Sequence, residues 1–209
     1  HMNAARIELV LGDFRASKRH ATEAVRLAPR DAAMLYQAAI NARQRGDYSE
    51  AMRLVDRCQS VAPALVEARH LKGSMLLDQG RLDEAGQELE RAVALQPNHA
   101  RCLADLARVR GTLEANADLL PRLQHLARNA TDPWDRSTAL FTLADLQHRA
   151  DHYEQAGALY QEANAAGKRV RPFDLDQWEA RQDATLSATA DLEARGEPGR
   201  HRIMSRDVS

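Results

Sequence analysis

Residues 80–97 read GRLDEAGQELERAVALQP, and both ends of this stretch occur three times along the chain. Its opening, GRLDEA (80–85), is matched by GDFRAS (12–17) and GDYSEA (46–51). Its close, AVALQP (92–97), is matched by AVRLAP (24–29) and CQSVAP (58–63). The glycines stand at 12, 46 and 80 and the prolines at 29, 63 and 97, so both marks keep a period of 34 residues. Each repeated residue has a physical task. Gly46 and Gly80 sit where one helix reverses into the next, a position that favours positive φ. Pro63 and Pro97 end the second helix, because proline removes a backbone donor and clashes with the preceding turn. Ala51 and Ala85 mark the closest approach of the two helices. Ala24, Cys58 and Ala92 hold a second small position, with Cys58 acting as a small hydrophobe. Gly73 holds a third on the first helix, with Ala39 and Ala107 as its equivalents.

A 34-residue helix–turn–helix unit is the period of the tetratricopeptide repeat, and the chain resembles that family. The resemblance implies an all-α, right-handed α-solenoid of about five helix pairs plus a C-terminal capping helix. The array is expected over 3–168, in units of about 3–31, 32–65, 66–99, 100–136 and 137–170. Unit four is degenerate: it keeps Ala100, Leu103, Leu106 and Ala107, but Glu114 stands at the turn position. Its second helix is expected to start near Asp118, with Pro121 in the first turn. The next turn falls at Asp151, which requires three inserted residues, expected in the loop NATDPW (129–134). Unit five recovers with Leu140, Leu143, Ala144, Tyr153, Ala156, Tyr160 and Ala163. Pro172, Asp174 and Gly196 bound a capping helix over 172–195, whose stripe is Leu175, Trp178, Leu186 and Leu192. Residues 196–209 carry no apolar period and are expected to be mobile. His1 and Met2 look like an expression scar and carry no weight.

Composition narrows the function classes. Aromatics are 4% of the chain and the apolar residues are mostly Ala and Leu, which suits helix-on-helix packing better than a β-sandwich. The 29 basic and 30 acidic residues balance, which argues against a nucleic-acid partner. No apolar run reaches the roughly 18 residues of a membrane span, so a cytoplasmic location without membrane contact is expected. Cys58 and Cys102 match no metal or redox spacing. There is no GxxxxGK[ST] or GxGxxG phosphate loop and no GxSxG elbow. His148 and His152 have the four-residue spacing of paired metal ligands, but the expected turn at Asp151 separates them and no third ligand follows. No enzyme activity, cofactor or metal is expected.

The repeat resemblance also assigns a site. In that fold the first helix of each pair lines a concave groove, and the register selects its residues. Unit two gives Tyr36, Gln37, Ile40, Arg43 and Gln44; unit three gives Glu67, His70, Leu71, Ser74 and Asp78. Unit four gives Arg101, Asp105, Arg108 and Thr112; unit five gives Phe141, Thr142, Asp145 and Arg149. Apolar anchors among mixed charges suit an extended peptide or a docked helix. The Lys/Asn clamp with which some of these domains hold a chaperone C-terminus is absent: Tyr36, Ile40 and Gln37 stand at the comparable places.

A narrower resemblance covers residues 103–178. PWDRSTALFTLADLQHRADHYEQAGALYQEANAAGKR is similar to the linker of bacterial tetratricopeptide-repeat sulfotransferases, DRxxLHFxLGKxLxxxGxYxxAFxxYxxxNxxK. Asp135, Arg136, Leu140, Phe141, Leu143, Ala144, Tyr153, Ala156, Tyr160, Asn164 and Lys168 fall in step, with Ala144 and Asp151 replacing family glycines. The GxPRSGT loop of the catalytic domain does not occur, so no cofactor residue carries over. Three readings result. The chain is a non-catalytic module holding a peptide or partner domain in its groove, a substrate-presenting arm of a sulfotransferase, or a module that associates with itself.

Overall fold

The computed structural model describes residues 1–168, which form one compact unit. The expected capping helix (172–195) and tail (196–209) lie outside the described residues. Ten α-helices follow one another in antiparallel pairs: α1 (Met2–Val10) with α2 (Phe14–Leu27), α3 (Ala32–Gln44) with α4 (Tyr48–Val61), and α5 (Val66–Asp78) with α6 (Leu82–Leu95). The array continues with α7 (Ala100–Arg110) and α8 (Leu120–Asn129), which pack on α9 more than on each other, and ends among the described residues with the pair α9 (Pro133–Arg149) and α10 (Tyr153–Lys168). They stack as an α-solenoid in which each pair buries its apolar faces against the next.

The turns explain the period. Gly12 and Gly46 have φ of +80° and Gly80 of +73°, conformations that side chains resist. The amide after each turn residue donates back into the helix it closes: Asp13 to Glu8, Asp47 to Ala42, Arg81 to Leu76 and His152 to Gln147, all at 2.9–3.0 Å. This six-to-one bond satisfies a carbonyl that the helix end leaves open. Asp151 makes the fifth-unit turn at φ +61° without glycine, an ordinary exception for a short polar residue. Asp13 and Asp47 then cap the next helix, accepting from the Ala16 and Glu50 amides.

The small positions are closed. Ala51, Ala85, Cys58, Ala92, Ala39 and Ala163 are all at 0% exposure, and Ala156 is at 1%. In unit one the same places are taken by Ala5 and Ser17, both fully buried, with the Ser17 hydroxyl donating to the Ala5 carbonyl at 2.7 Å. A Cβ on Gly73 would stand 2.7 Å from Cγ of Leu89, which is itself fully buried. Gly73→Ala is therefore expected to destabilise by about 1 kcal/mol, since overpacking outweighs the better helix propensity. A thermal melt reads the sign; an unchanged or higher midpoint would show that Leu89 can yield.

Unit four departs from expectation in two ways. The first helix does not run to Glu114: it stops at Arg110 because Gly111 adopts φ +80°. Glu114 instead opens a short 3₁₀ turn, Glu114–Asn116, and α8 begins at Leu120 with Pro121 in its first turn. The three inserted residues are also not in the 129–134 loop. They lengthen α9, which starts at Pro133 and runs for 17 residues against 13 in α3 and α5. Asp132 caps it by accepting from the Trp134 amide at 2.9 Å, and a proline at the first helical position is preorganised for that start.

Candidate functional site

The register places side chains of α3, α5, α7 and α9 in one row, and many of them are already engaged across unit boundaries. Arg43 spans from α3 to α5, donating to Asp78 at 2.6 Å and to the Ser74 hydroxyl at 3.2 Å. His70 on α5 meets Asp105 on α7 at 3.0 Å, and Arg108 holds the other Asp105 oxygen at 2.8 Å. Arg149 on α9 donates to the Gly111 carbonyl at 3.3 Å. These contacts fix the angle between successive units, so several expected binding residues are also struts. Ser74, Thr142 and Leu71 are buried rather than presented. Thr142 spends its hydroxyl on the Thr138 carbonyl. Gln37, Gln44, Arg101, Arg108, Thr112, Phe141, Asp145 and Arg149 are exposed; Tyr36, Ile40, Glu67, His70 and Asp105 are half-buried.

Two recesses open along the row. One, of about 250 Å³, lies between α7 and α9 and is lined by Ala104, Asp105, Arg108, Phe141, Asp145 and Arg149, among others. Phe141 supplies an apolar wall beside Tyr160, their ring centres 6.2 Å apart, and the Tyr160 hydroxyl donates to Asp145 at 2.6 Å. The other, broader and about 530 Å³, lies between α1 and α3 and is mostly apolar, with Met2, Leu9, Val10, Phe14 and Ile40 in its lining. Units one and two thus offer greasy surface, and units four and five offer charge around one aromatic ring.

Between the recesses the groups sense one another. Burial pushes the Tyr36 phenol up, Arg101 opposes this and Glu67 adds to it, so units two, three and four share one electrostatic environment. His99, which sequence reasoning did not select, sits at this centre. Its Nδ1 accepts from the Cys102 amide at 3.2 Å and caps α7, while its ring lies 5.7 Å from that of His70. Burial holds its pKa below the usual 6.5. The neighbouring His70 and Arg101 act in the same direction, against the opposing pull of Glu67 and Asp135. A cap that accepts through Nδ1 must be unprotonated there, so the folded state favours neutral His99. The stability it contributes is complete above the unfolded pKa and is lost as pH falls through the folded one. The melting temperature is expected to fall between about pH 7.5 and pH 5, and His99→Asn, which caps without titrating, is expected to flatten that slope. Equal slopes would remove His99 from the account.

The two cysteines, both among the described residues, are held as thiols by burial. The Cys102 thiol is pushed up to about 12 by burial and the Cys58 thiol is raised by burial as well, so neither is a ready thiolate. Among the described residues no group of three or more His, Cys, Asp or Glu side chains is placed to hold a metal. His152 Nδ1 donates to the Gln147 Oε1 at 2.7 Å, and His148 packs edge-on against Tyr153. No helix among the described residues is long and apolar enough to cross a membrane. Residues carrying the sulfotransferase-linker resemblance serve the α9–α10 pair: Arg136 bonds Glu162 at 2.7 Å, Tyr160 bonds Asp145, and Ala144 and Ala156 are buried at the contact.

Residues 66–99 match the family model of the tetratricopeptide repeat. No curated protein matches the sequence. Among solved structures, a crystal structure of MamA is similar at TM-score 0.61 and 14% identity, covering 81% of this chain and 97% of that one. The MamA of Desulfovibrio magneticus RS-1 is similar at 0.59 and 22%, covering 80% and 93%. Yeast Tom70 is similar at 0.63 and 17%, covering 91% of this chain but 39% of its own. At these identities the likeness is one of fold. Residues 66–99 are thus similar to the tetratricopeptide repeat, and the stack of helix pairs around them has the fold of the tetratricopeptide-repeat solenoids.

Proposed function

We propose that this chain is a cytoplasmic protein-interaction module that holds an extended peptide or a partner helix along the row formed by α3, α5, α7 and α9. The observation that supports this most is the division of the row. An apolar recess at one end and an aromatic, charge-rimmed recess at the other are joined by a half-buried polar centre. Such a surface gives anchor pockets for apolar side chains and fixes register through charge. The inter-unit struts keep it preformed, which reduces the ordering cost of binding. Selection of peptides from a displayed random library tests it. Enriched peptides are expected to lose about tenfold or more in affinity on Phe141→Ala, a loss typical of a central aromatic anchor. Reversal of both Arg101 and Arg108 to Glu is expected to weaken acidic peptides in a salt-dependent way, with only a small loss in the melt from parting the half-exposed Arg108 from Asp105. Arg53→Glu, on a second helix and 69% exposed, is expected to change neither. Peptides indifferent to both groove variants would remove the proposal.

The sulfotransferase-arm reading rests on the resemblance over residues 103–178, whose matching positions run from Asp135 to Lys168. It is tested by titrating the sulfate-donor nucleotide: the expected result is no binding, since no phosphate-cradling loop is present. Association with a catalytic domain would then have to come through another polypeptide segment.

A further inference from the structure

Neighbouring second helices leave a groove between them, and two of these grooves are built differently. In the α4–α6 groove the chain fills the space with its own charges. Lys72 of α5 reaches Asp56 at 2.8 Å. Glu88 accepts from Gln59, Arg69 and Arg91 at 3.0–3.2 Å. One period earlier, Ala38 stands in place of Lys72, Leu54 in place of Glu88 and Val25 in place of Gln59. The α2–α4 groove is thereby left open as a recess of about 100 Å³. Those three residues belong to its floor, each at 9% exposure or less, and Arg45, Arg53 and Arg57 rim it together with Glu50. The rim is not neutralised from within. Glu50 is taken by Arg45 and Lys18, both at 3.2 Å, and stands 3.9 Å from Arg53, too far for a hydrogen bond. Arg57 donates only to the Pro29 carbonyl, whereas its equivalent Arg91 has Glu88 at 3.0 Å. Glu23, the one carboxylate of α2, is held by Arg26 at 2.7–2.8 Å. Among the described residues, Arg53 and Arg57, one turn apart on α4, therefore have no carboxylate within hydrogen-bond reach.

We propose that this recess is a second interaction site, which takes a glutamate presented by an acidic helix of a partner protein. The α4–α6 groove supplies the precedent within the same molecule: there a glutamate between two second helices is gripped by an arginine three residues further on. In the α2–α4 recess the partner's carboxylate meets Arg53 and Arg57, where charge-assisted bonds to guanidinium groups are strong and can be bidentate. Its methylenes lie on Val25 and Leu54, which an inorganic anion could not use. The space is that of about three waters, so it admits one side chain and not a ring system. A helix is the carrier because the groove runs between two helices, whose ridges accept a third. The wall is preformed: the Arg45 side chain is 4% exposed and is tied to Asn41 at 2.9 Å as well as to Glu50. A nucleic acid is disfavoured by the balance of 29 basic and 30 acidic residues in the whole chain. The site is built from second helices, so it stands apart from the row of α3, α5, α7 and α9.

The test is a selection on the whole chain from a displayed library of helical peptides, each with a central glutamate and randomised flanks. Enriched peptides are expected to lose about tenfold or more in affinity when that glutamate is replaced by glutamine, and as much on Arg53→Glu/Arg57→Glu. Added salt should weaken them further. Thr22→Trp, which fills the recess while keeping its charges, is expected to cost the same. Thr22, Arg53 and Arg57 are exposed, so the circular-dichroism melts of these variants should match the parent. Phe141→Ala is expected to leave these peptides unaffected, so failure at this recess and failure of the α3–α9 row are read separately. The proposal is overturned if no enriched peptide depends on its glutamate, or if binding survives both the double reversal and Thr22→Trp. It is also overturned if Phe141→Ala abolishes binding, or if inorganic phosphate displaces the peptides at equal concentration, which would mark a site for any anion.

Discussion

Ala85→Arg is expected to unfold the central repeats, with a loss of at least about 3 kcal/mol from overpacking and charge burial together. Ala85 is at 0% exposure where α6 meets α5, and its carbonyl oxygen lies 3.5 Å from the place a Cβ on Gly73 would occupy. An arginine there has neither volume nor a route to solvent. In a repeat array each unit depends on its neighbours, so loss at unit three also uncovers units two and four. Ala94→Arg, exposed on the same helix, is the control and should melt with the parent. A melt of Ala85→Arg that matched the parent would mean that the 34-residue register is wrong.

Glu88→Ala is the second large loss, about 2–3 kcal/mol, less than the roughly 3–5 kcal/mol of a fully buried pair because Arg91 and Lys72 keep other partners or solvent. Glu88 stands on α6 at 7% exposure, at a register position where unit two has Leu54. Its two oxygens gather Gln59 from α4 at 3.1 Å, Arg69 from α5 at 3.2 Å and Arg91 at 3.0 Å, with Lys72 at 3.8 Å. One carboxylate therefore joins three helices from two units. Its removal leaves the half-buried Arg69 without a counter-charge, while Lys72 keeps Asp56 at 2.8 Å and Arg91 reaches solvent. Glu88→Gln keeps the shape and one acceptor and is expected to lose less, about half as much, because hydrogen bonds persist when the charge goes. Chemical denaturation of the parent and both variants gives the order. Equal stabilities would show that the cations find solvent at no cost.

The parts of the fold legible in sequence were those held by backbone geometry. A glycine at positive φ and a proline at a helix end are fixed by sterics, and the small positions by contact distance, so their spacing was readable. Unit four was misread because its glycine had moved. Gly111 directly follows Arg108 and Arg110, basic residues in a last helical turn followed by glycine, which is a stop signal in its own right. Keeping strict period pointed to Glu114 instead. The insertion was misplaced for a similar reason: Asp132-Pro133 is a cap followed by a first-position proline, and it marked the start of α9. The groove was legible as a row of positions but not as a set of free groups. Whether His70 finds Asp105, or Arg43 finds Asp78, depends on side-chain conformations across two units. His99 escaped notice because an imidazole acting as a helix cap has no distinct spacing.

The direct measurement is hydrogen–deuterium exchange of the chain with and without a peptide selected from the displayed library. Binding along the proposed row predicts slowed exchange in α3, α5, α7 and α9, strongest near Phe141 and the α7–α9 recess, with α4, α6 and α8 unchanged. Protection confined to α4, α6 and α8 would place the partner on the outer helices and contradict the account.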